Sequence, residues 1–185
     1  MEKFYVIIQA LLLYLFSSLV VVNAATGEAF DEDEIKVAYL YNFLKFTTWP
    51  ESAFGPETAT VNICAVGDNP LSGKLELLRG KEVRQKTVAV FYLPRVIFET
   101  VRNNQCHLLF VSKKISVIDA YIGDLRGSPL LLVGDAENFT DTGGIIGLKL
   151  VGQKIRFDIN LQRAQENNIL FSSLLLKLAS NLVGE

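Results

Sequence analysis

The chain reads as an α/β domain: a mixed, mostly parallel sheet flanked by helices and finished by a β-hairpin and a helix. Three observations predict this. Strand-like runs alternate with helix-like runs from Thr60 to Val133, which argues for a parallel sheet with crossover helices. The runs Cys106–Ser112 (CHLLFVS) and Pro129–Val133 (PLLLV) do not alternate polar and apolar, as suits strands buried on both faces. Then Ile145–Val151 and Lys154–Ile159 stand either side of Gly152-Gln153 alone, the spacing of a tight hairpin.

Along the chain, the first element is a helix. Asp31-Glu32-Asp33-Glu34 precedes an apolar run from Ile35 to Trp49, and acidic residues suit the positive end of a helix dipole. Ile35, Tyr39, Phe43 and Phe46 share one face, and Val37, Leu40, Tyr41 and Leu44 cover most of the remainder. A helix apolar nearly all round is buried on two sides, against the core and against a partner or second subunit. Pro50 is expected to set its end. Thr60–Val66 and Thr87–Leu93 read as strands, Leu71–Arg79 and Arg95–Asn103 as helices, and Ser116 as the N-cap of a helix through Leu125. Arg156 and Asp158 alternate with Ile155, Phe157 and Ile159, which gives the second hairpin strand one polar face. Leu161–Leu182 is expected to be helical, with a break near Asn167-Asn168.

The first two dozen residues read differently. Lys3 begins a stretch that is apolar from Phe4 to Val22 with few interruptions, and Val22-Asn23-Ala24-Ala25 offers small residues for a signal peptidase. We expect residues 1–24 to be a signal peptide cleaved after Ala24, and residues 25–185 to form one domain. An uncleaved anchor is the competing reading, since about 20 apolar residues span a bilayer; no Lys or Arg cluster flanks the run to hold it there.

Half of the 185 residues are apolar and the formal net charge is −2, which excludes a disordered chain. No basic run marks a nucleic-acid surface. The two cysteines, Cys64 and Cys106, lie in or beside expected neighbouring strands. In an oxidising compartment they form a disulfide worth about 4 kcal/mol on the chain-entropy model; two separate buried thiols are the alternative. A metal site of Cys64, Cys106 and His107 is disfavoured, because adjacent residues on a strand point to opposite faces. His107 is the only histidine and reads as structural. No G-x-S-x-G elbow, dinucleotide fingerprint or phosphate loop occurs, so neither a catalytic centre nor a cofactor is expected. Asn138-Phe139-Thr140 fits the glycosylation pattern, a short motif that arises often by chance.

Two loops lie just beyond strand ends, Gly67-Asp68-Asn69-Pro70 and Gly134-Asp135-Ala136-Glu137-Asn138. Ligands in open parallel sheets favour that position, so Asp68, Asn69 and Asp135 are candidate ligand-binding residues. The plainer reading is that these residues simply form turns. Tyr39, Tyr41 and Trp49 are candidate partner contacts, because aromatic anchors often dominate interfaces; core packing is the competing reading for each.

Several stretches together resemble one family. They are VAYLYNFLKFTTWP (37–50), VNICAVGDNP (61–70), CHLLFVS (106–112), GGIIG (143–147), RFDINL (156–161) and SSLLLKLA (172–179). In this order they cover nearly the whole chain after the leader and resemble the YfiR-like periplasmic proteins. The resemblance implies a compact α/β domain, often dimeric, without enzymatic activity. It implies a repressor that binds the periplasmic part of a membrane-bound diguanylate cyclase. An outer-membrane lipoprotein sequesters that repressor and so raises cyclic-di-GMP and biofilm formation. The family pattern also places a disulfide at the positions of Cys64 and Cys106. Some members carry a further cysteine pair nearer the tail, which this chain lacks.

Overall fold

A computed structural model describes residues 31–55, 59–67, 69–95, 98–115 and 125–184. The expected signal segment, Asp68 and most of the expected helix from Ser116 lie outside the described residues.

Helix α1 (Glu32–Phe46) starts where the acidic run predicts. The Asp31 carboxylate caps it, accepting the amides of Asp33 and Glu34 at 3.1 Å each. It ends at Phe46, short of the expected Trp49. Thr47-Thr48 instead forms a short strand, β1, which pairs antiparallel with Leu170–Phe171. That ladder satisfies backbone groups that another helical turn would have used, so tertiary pairing sets the helix end before Pro50 does.

The main sheet holds β2 (Thr60–Val66), β3 (Glu82–Val83), β4 (Lys86–Leu93), β5 (Leu108–Val111), β6 (Leu131–Gly134), β7 (Ile146–Val151), β8 (Lys154–Asn160) and β10 (Asn181–Val183). Its spatial order is β10-β8-β7-β6-β5-β2-β4-β3. Strands β4, β2, β5, β6 and β7 run parallel as neighbours, while β3 and β8 pair antiparallel with β4 and β7. The chain enters the sheet at β2, steps outward to β4, then returns to the other side of β2 as β5. This reversal makes a doubly wound sheet with its switch point between β2 and β5. Short helical segments α2 (Ser72–Leu75) and α3 (Phe98–Asn103) lie on the two crossovers around β4.

Burial reflects the topology. Residues 61–66 of β2 and all four residues of β5 and of β6 are buried, as befits central parallel strands. Strand β8, near the edge, buries only Ile155, Phe157 and Ile159. Phe43 of α1 meets Phe157 edge-on at 5.2 Å between ring centroids, and Tyr39 reaches the same ring at 5.6 Å. The first helix therefore covers the apolar face that the alternation in β8 predicts.

The tail departs from the expected long helix. Helix α4 (Leu161–Glu166) is capped by Asn160 and stops at Asn167, with Asn168 in the left-handed region at φ 55°. The chain continues as β9 (Leu170–Phe171), α5 (Ser173–Leu178) and the edge strand β10, parallel to β8. The break at Asn167-Asn168 is where the residues suggest it. Beyond the break the expected helix gives way to strand at both ends of α5, because β1 and β8 offer unpaired backbone edges that these residues complete.

Two glycines are fixed by one ring. A Cβ at Gly134 would lie 2.5 Å from the buried Phe139 side chain, and one at Gly144 only 2.2 Å from it. The expected turn at Gly134 thus doubles as a packing site. Gly144→Ala should lower stability by about 1–3 kcal/mol through overpacking, read as the shift in denaturation midpoint at constant m-value.

Candidate functional site

Two ends of the parallel strands could hold a site. At the carboxyl ends stand the loops that the sequence predicts as ligand sites. Asp135, just after β6, is buried, and its Oδ2 accepts from Lys36 Nζ of α1 at 2.5 Å. Its Oδ1 accepts the Lys113 amide, just after β5, at 2.6 Å. Lys36, itself 4% exposed, also pairs with Glu32 one turn earlier at 2.7 Å. Burial works against the ammonium, but hydrogen bonds from Asp135 and Glu32 outweigh it and raise its pKa above the usual lysine value. The group stays charged and is no candidate base or nucleophile. Asn69 is also buried: its Oδ1 accepts the Leu71 amide at 2.9 Å, while its Nδ2 finds no hydrogen-bond partner among the described residues. Both Asp135 and Asn69 are thus engaged by their own fold. The helix α1 is pinned to the sheet by a charge cluster rather than held off from a ligand crevice.

Lys36 is not among the site residues that the sequence predicts. It does carry a signal: a cation four residues after Glu32, set between Ile35 and Val37 in an apolar run. Its partner Asp135 lies 99 residues away in sequence, which no local pattern reports.

The amino end of β5 holds Cys106 and His107, with Cys64 farther along the neighbouring β2. Cys64 of β2 and Cys106, just before β5, form a disulfide with 5.7 Å between Cα atoms. Both thiols are consumed, which removes the metal reading of Cys64, Cys106 and His107. His107 is 1% exposed. Its Nδ1 accepts the Asn62 amide at 3.0 Å, its own amide donates to the Asn62 carbonyl at 2.9 Å, and Phe54 stacks on its ring at 4.4 Å. Its Nε2 is buried without a well-formed hydrogen bond among the described residues. Burial pushes its pKa down to about 4; the Ala53 backbone opposes the shift and the Lys86 charge adds to it. A neutral imidazole locked between strands has neither the access nor the partner that a general base needs.

The three aromatic candidates are tied to the fold as well. Tyr39 Oη donates to the Ile155 carbonyl, Tyr41 Oη to the Glu82 carbonyl and Trp49 Nε1 to the His107 carbonyl, each at 3.1 Å. All three rings are half-buried. Tyr41 keeps the most open surroundings, with the ammonium groups of Lys45 and Lys81 at 5.5 and 5.8 Å from its ring centre.

Two of the cavities that the described residues line bear on this framework. One, about 400 Å³, lies at the amino ends of β5 and β6 beside Cys106. The other, about 380 Å³, lies between the loop after β6 and the β7–β8–β10 edge, where Lys149 pairs with Asp158 at 2.6 Å. Among the described residues no group of three or more His, Cys, Asp and Glu side chains is placed to hold a metal ion.

Three measurements test this geometry. Opening the disulfide, as in Cys64→Ala/Cys106→Ala, should cost about 4 kcal/mol of unfolding free energy for a sequence separation of 42. Lys36→Met leaves the Asp135 carboxylate buried with only the Lys113 amide to compensate it, and should cost about 3–5 kcal/mol by chemical denaturation. His107 gives a pH dependence. Its folded pKa of about 4 lies below the ordinary 6.5, so the unfolded chain binds the extra proton between those values. The contribution is complete above pH 6.5 and is lost as pH falls towards 4, up to about 3 kcal/mol in all. Unfolding of parent and His107→Asn across pH 4–7 should show a steeper loss in the parent.

A family model described as YfiR/HmsC-like matches residues 33–180. No curated protein matches the chain. One similar solved structure is the ABC domain from Streptococcus pneumonia in complex with L-Trp, with 14% identity and a TM-score of 0.50. That alignment covers 82% of this chain but only 60% of the other, and the likeness concerns the fold alone. The family match takes in every strand and helix from α1 to α5, so the chain belongs to the YfiR/HmsC-like family.

Proposed function

We propose that the chain is exported, with residues 1–24 removed after Ala24, and acts in the periplasm as a non-enzymatic regulator. It binds the periplasmic part of a membrane-bound diguanylate cyclase and represses it. Sequestration of the regulator by an outer-membrane lipoprotein releases the cyclase, raising cyclic-di-GMP and biofilm formation. The family match over residues 33–180 carries this reading. The Cys64–Cys106 disulfide supports it, since such bonds persist in oxidising compartments. The engagement of Asp135 and of the Asn69 Oδ1 by their own fold makes a ligand site at those side chains the less favoured alternative.

A protein-binding role also draws support from the tail. Leu170, Leu174 and Leu178 recur every four residues across β9 and α5 and are 63%, 52% and 58% exposed. Leu174 and Leu178 share one helix face. Exposed apolar side chains gathered in this way mark contact surfaces more often than isolated ones. Tyr39, Tyr41 and Trp49, by contrast, each hold the fold with a polar atom, and the Tyr41 bond is the one at an exposed position.

Loss of the gene should raise cellular cyclic-di-GMP several-fold, and the parent chain supplied in trans should restore it. Unchanged cyclic-di-GMP, together with no membrane cyclase recovered on the tagged chain, would sink the reading. Leu174→Lys/Leu178→Lys should abolish recovery of the cyclase while shifting the thermal midpoint little. Trp49→Ala should instead lower the midpoint, because it strips the hydrogen bond to the His107 carbonyl and packing beside β5.

A further inference from the structure

We propose that the cavity between the loop after β6 and the β7–β8–β10 edge binds a linear aliphatic diamine or polyamine. In chain order its wall begins at Ala136, one residue past Asp135, and ends at Asn181 and Val183. The site uses other side chains than those the sequence singles out in the strand-end loops, and it is independent of the regulatory role proposed above.

The charge of the walls is the first argument. Among the described residues that line the cavity, Glu137, Asp141 and Asp158 carry carboxylates and Lys149 alone carries an ammonium. Lys149 Nζ is spent on Asp158, whose two oxygens accept from it at 2.8 and 2.6 Å. Glu137 and Asp141 make no ion pair with a described residue, although Asp141 also borders the hollow that holds Arg126 and Arg163. Arg156 shares a face of β8 with Asp158 but lies outside the cavity wall. The surplus is therefore negative, and it attracts a cation as strongly as it repels an anion. No three of these carboxylates converge as a metal ion would need. Acids set apart along one wall suit a chain with an ammonium group at each end.

The second argument is a polar group left without a partner. Thr140 is 6% exposed and borders the cavity. Its carbonyl accepts Asn160 Nδ2 at 2.9 Å, yet its hydroxyl finds no hydrogen-bond partner among the described residues. A buried hydroxyl without a bond costs free energy, which an ammonium donating to its oxygen recovers. Size and rigidity complete the case. About 380 Å³ falls within the range of small-molecule sites, which run from about 300 to 1,000 Å³. Ala136 and Val183, both half-buried, offer apolar surface for the methylene chain between the charges. The loop is closed by the Asp141 and Thr142 amides on the Asn138 carbonyl at 2.9 and 3.2 Å, and Asn181 Nδ2 of the edge strand holds Asp158 at 2.9 Å. Walls already ordered in the free protein lower the cost of binding.

The probe is spermidine, with butylamine as the control that carries one charge. Each is titrated by isothermal calorimetry into the purified chain with its disulfide intact. Spermidine should bind saturably at one site per chain, keep that binding in excess magnesium, and bind about tenfold or more tighter than butylamine. Glu137→Gln and Thr140→Val should each weaken spermidine about three- to tenfold. Amide shifts in the unmodified protein provide a check that needs no variant: they should concentrate at Glu137, Thr140, Asp141 and Lys149. The proposal is overturned by an absence of saturable spermidine binding, by binding that magnesium removes, by equal affinity for butylamine, by unchanged affinity in either variant, or by shifts centred on residues outside the cavity wall.

Discussion

The pairing of β2 with β5 is the constraint on which the rest of this structure depends. Strand β2 has parallel neighbours on both sides, and six of its seven residues are buried. Parallel strands in this setting need apolar cover on both faces and crossovers that return the chain to the same end. The chain supplies a crossover through α2 to β4 and then passes through α3 to the far side of β2. Closing β5 onto β2 brings Cys106 against Cys64 and lays the His107 ring on the Asn62 amide. The covalent bond and the buried imidazole therefore secure the same seam, where the sheet changes direction.

A second set of contacts locks the opposite end of that seam. Lys36 reaches from α1 to Asp135, whose other oxygen takes the amide of Lys113 beyond β5. A buried ion pair is weak evidence for net stability, since its desolvation cost can equal its Coulombic gain. Its geometry nonetheless ties α1 to the loop after β6, since displacing the helix would take the cation away from the buried Asp135 carboxylate. At the strand ends that the fold rule reserves for ligands, Asp135 is thus taken by the protein's own groups, while a cavity of about 380 Å³ opens farther along the loop after β6. Another cavity, with more apolar walls, opens beside Cys106 at the amino ends of β5 and β6. Fold alone does not locate a site.

The tail shows how local pattern and tertiary context divide the work. Asn160 caps α4 and Asn168 adopts the left-handed conformation that ends it, so the break was legible in the residues. The strands β9 and β10 were not. Their residues, Leu170-Phe171 and Asn181-Leu182-Val183, carry no strand signal that outweighs the surrounding helix formers. They become strands because β1 and the outer edge of β8 present free backbone groups. The same argument shortens α1, whose expected last turn is given over to pairing with β9.

By itself the sequence determined the α/β class, the order of the central strands along the chain, the hairpin at Gly152-Gln153, the capped start of α1, and the stretches that mark the family. These rest on periodicity, turn chemistry and capping, all of which act over a few residues. It also offered a disulfide for the cysteines in an oxidising compartment, against two separate buried thiols, and the structure shows the bond. Only the tertiary structure decided that Lys36 pairs with Asp135, that Phe139 requires glycine at both 134 and 144, and that Tyr39 and Trp49 serve the fold. Only it showed the leucines of the tail facing outward and a cavity behind Cys106. The physical reason is the same throughout: each of these depends on groups far apart in sequence, which folding alone brings within a few ångströms.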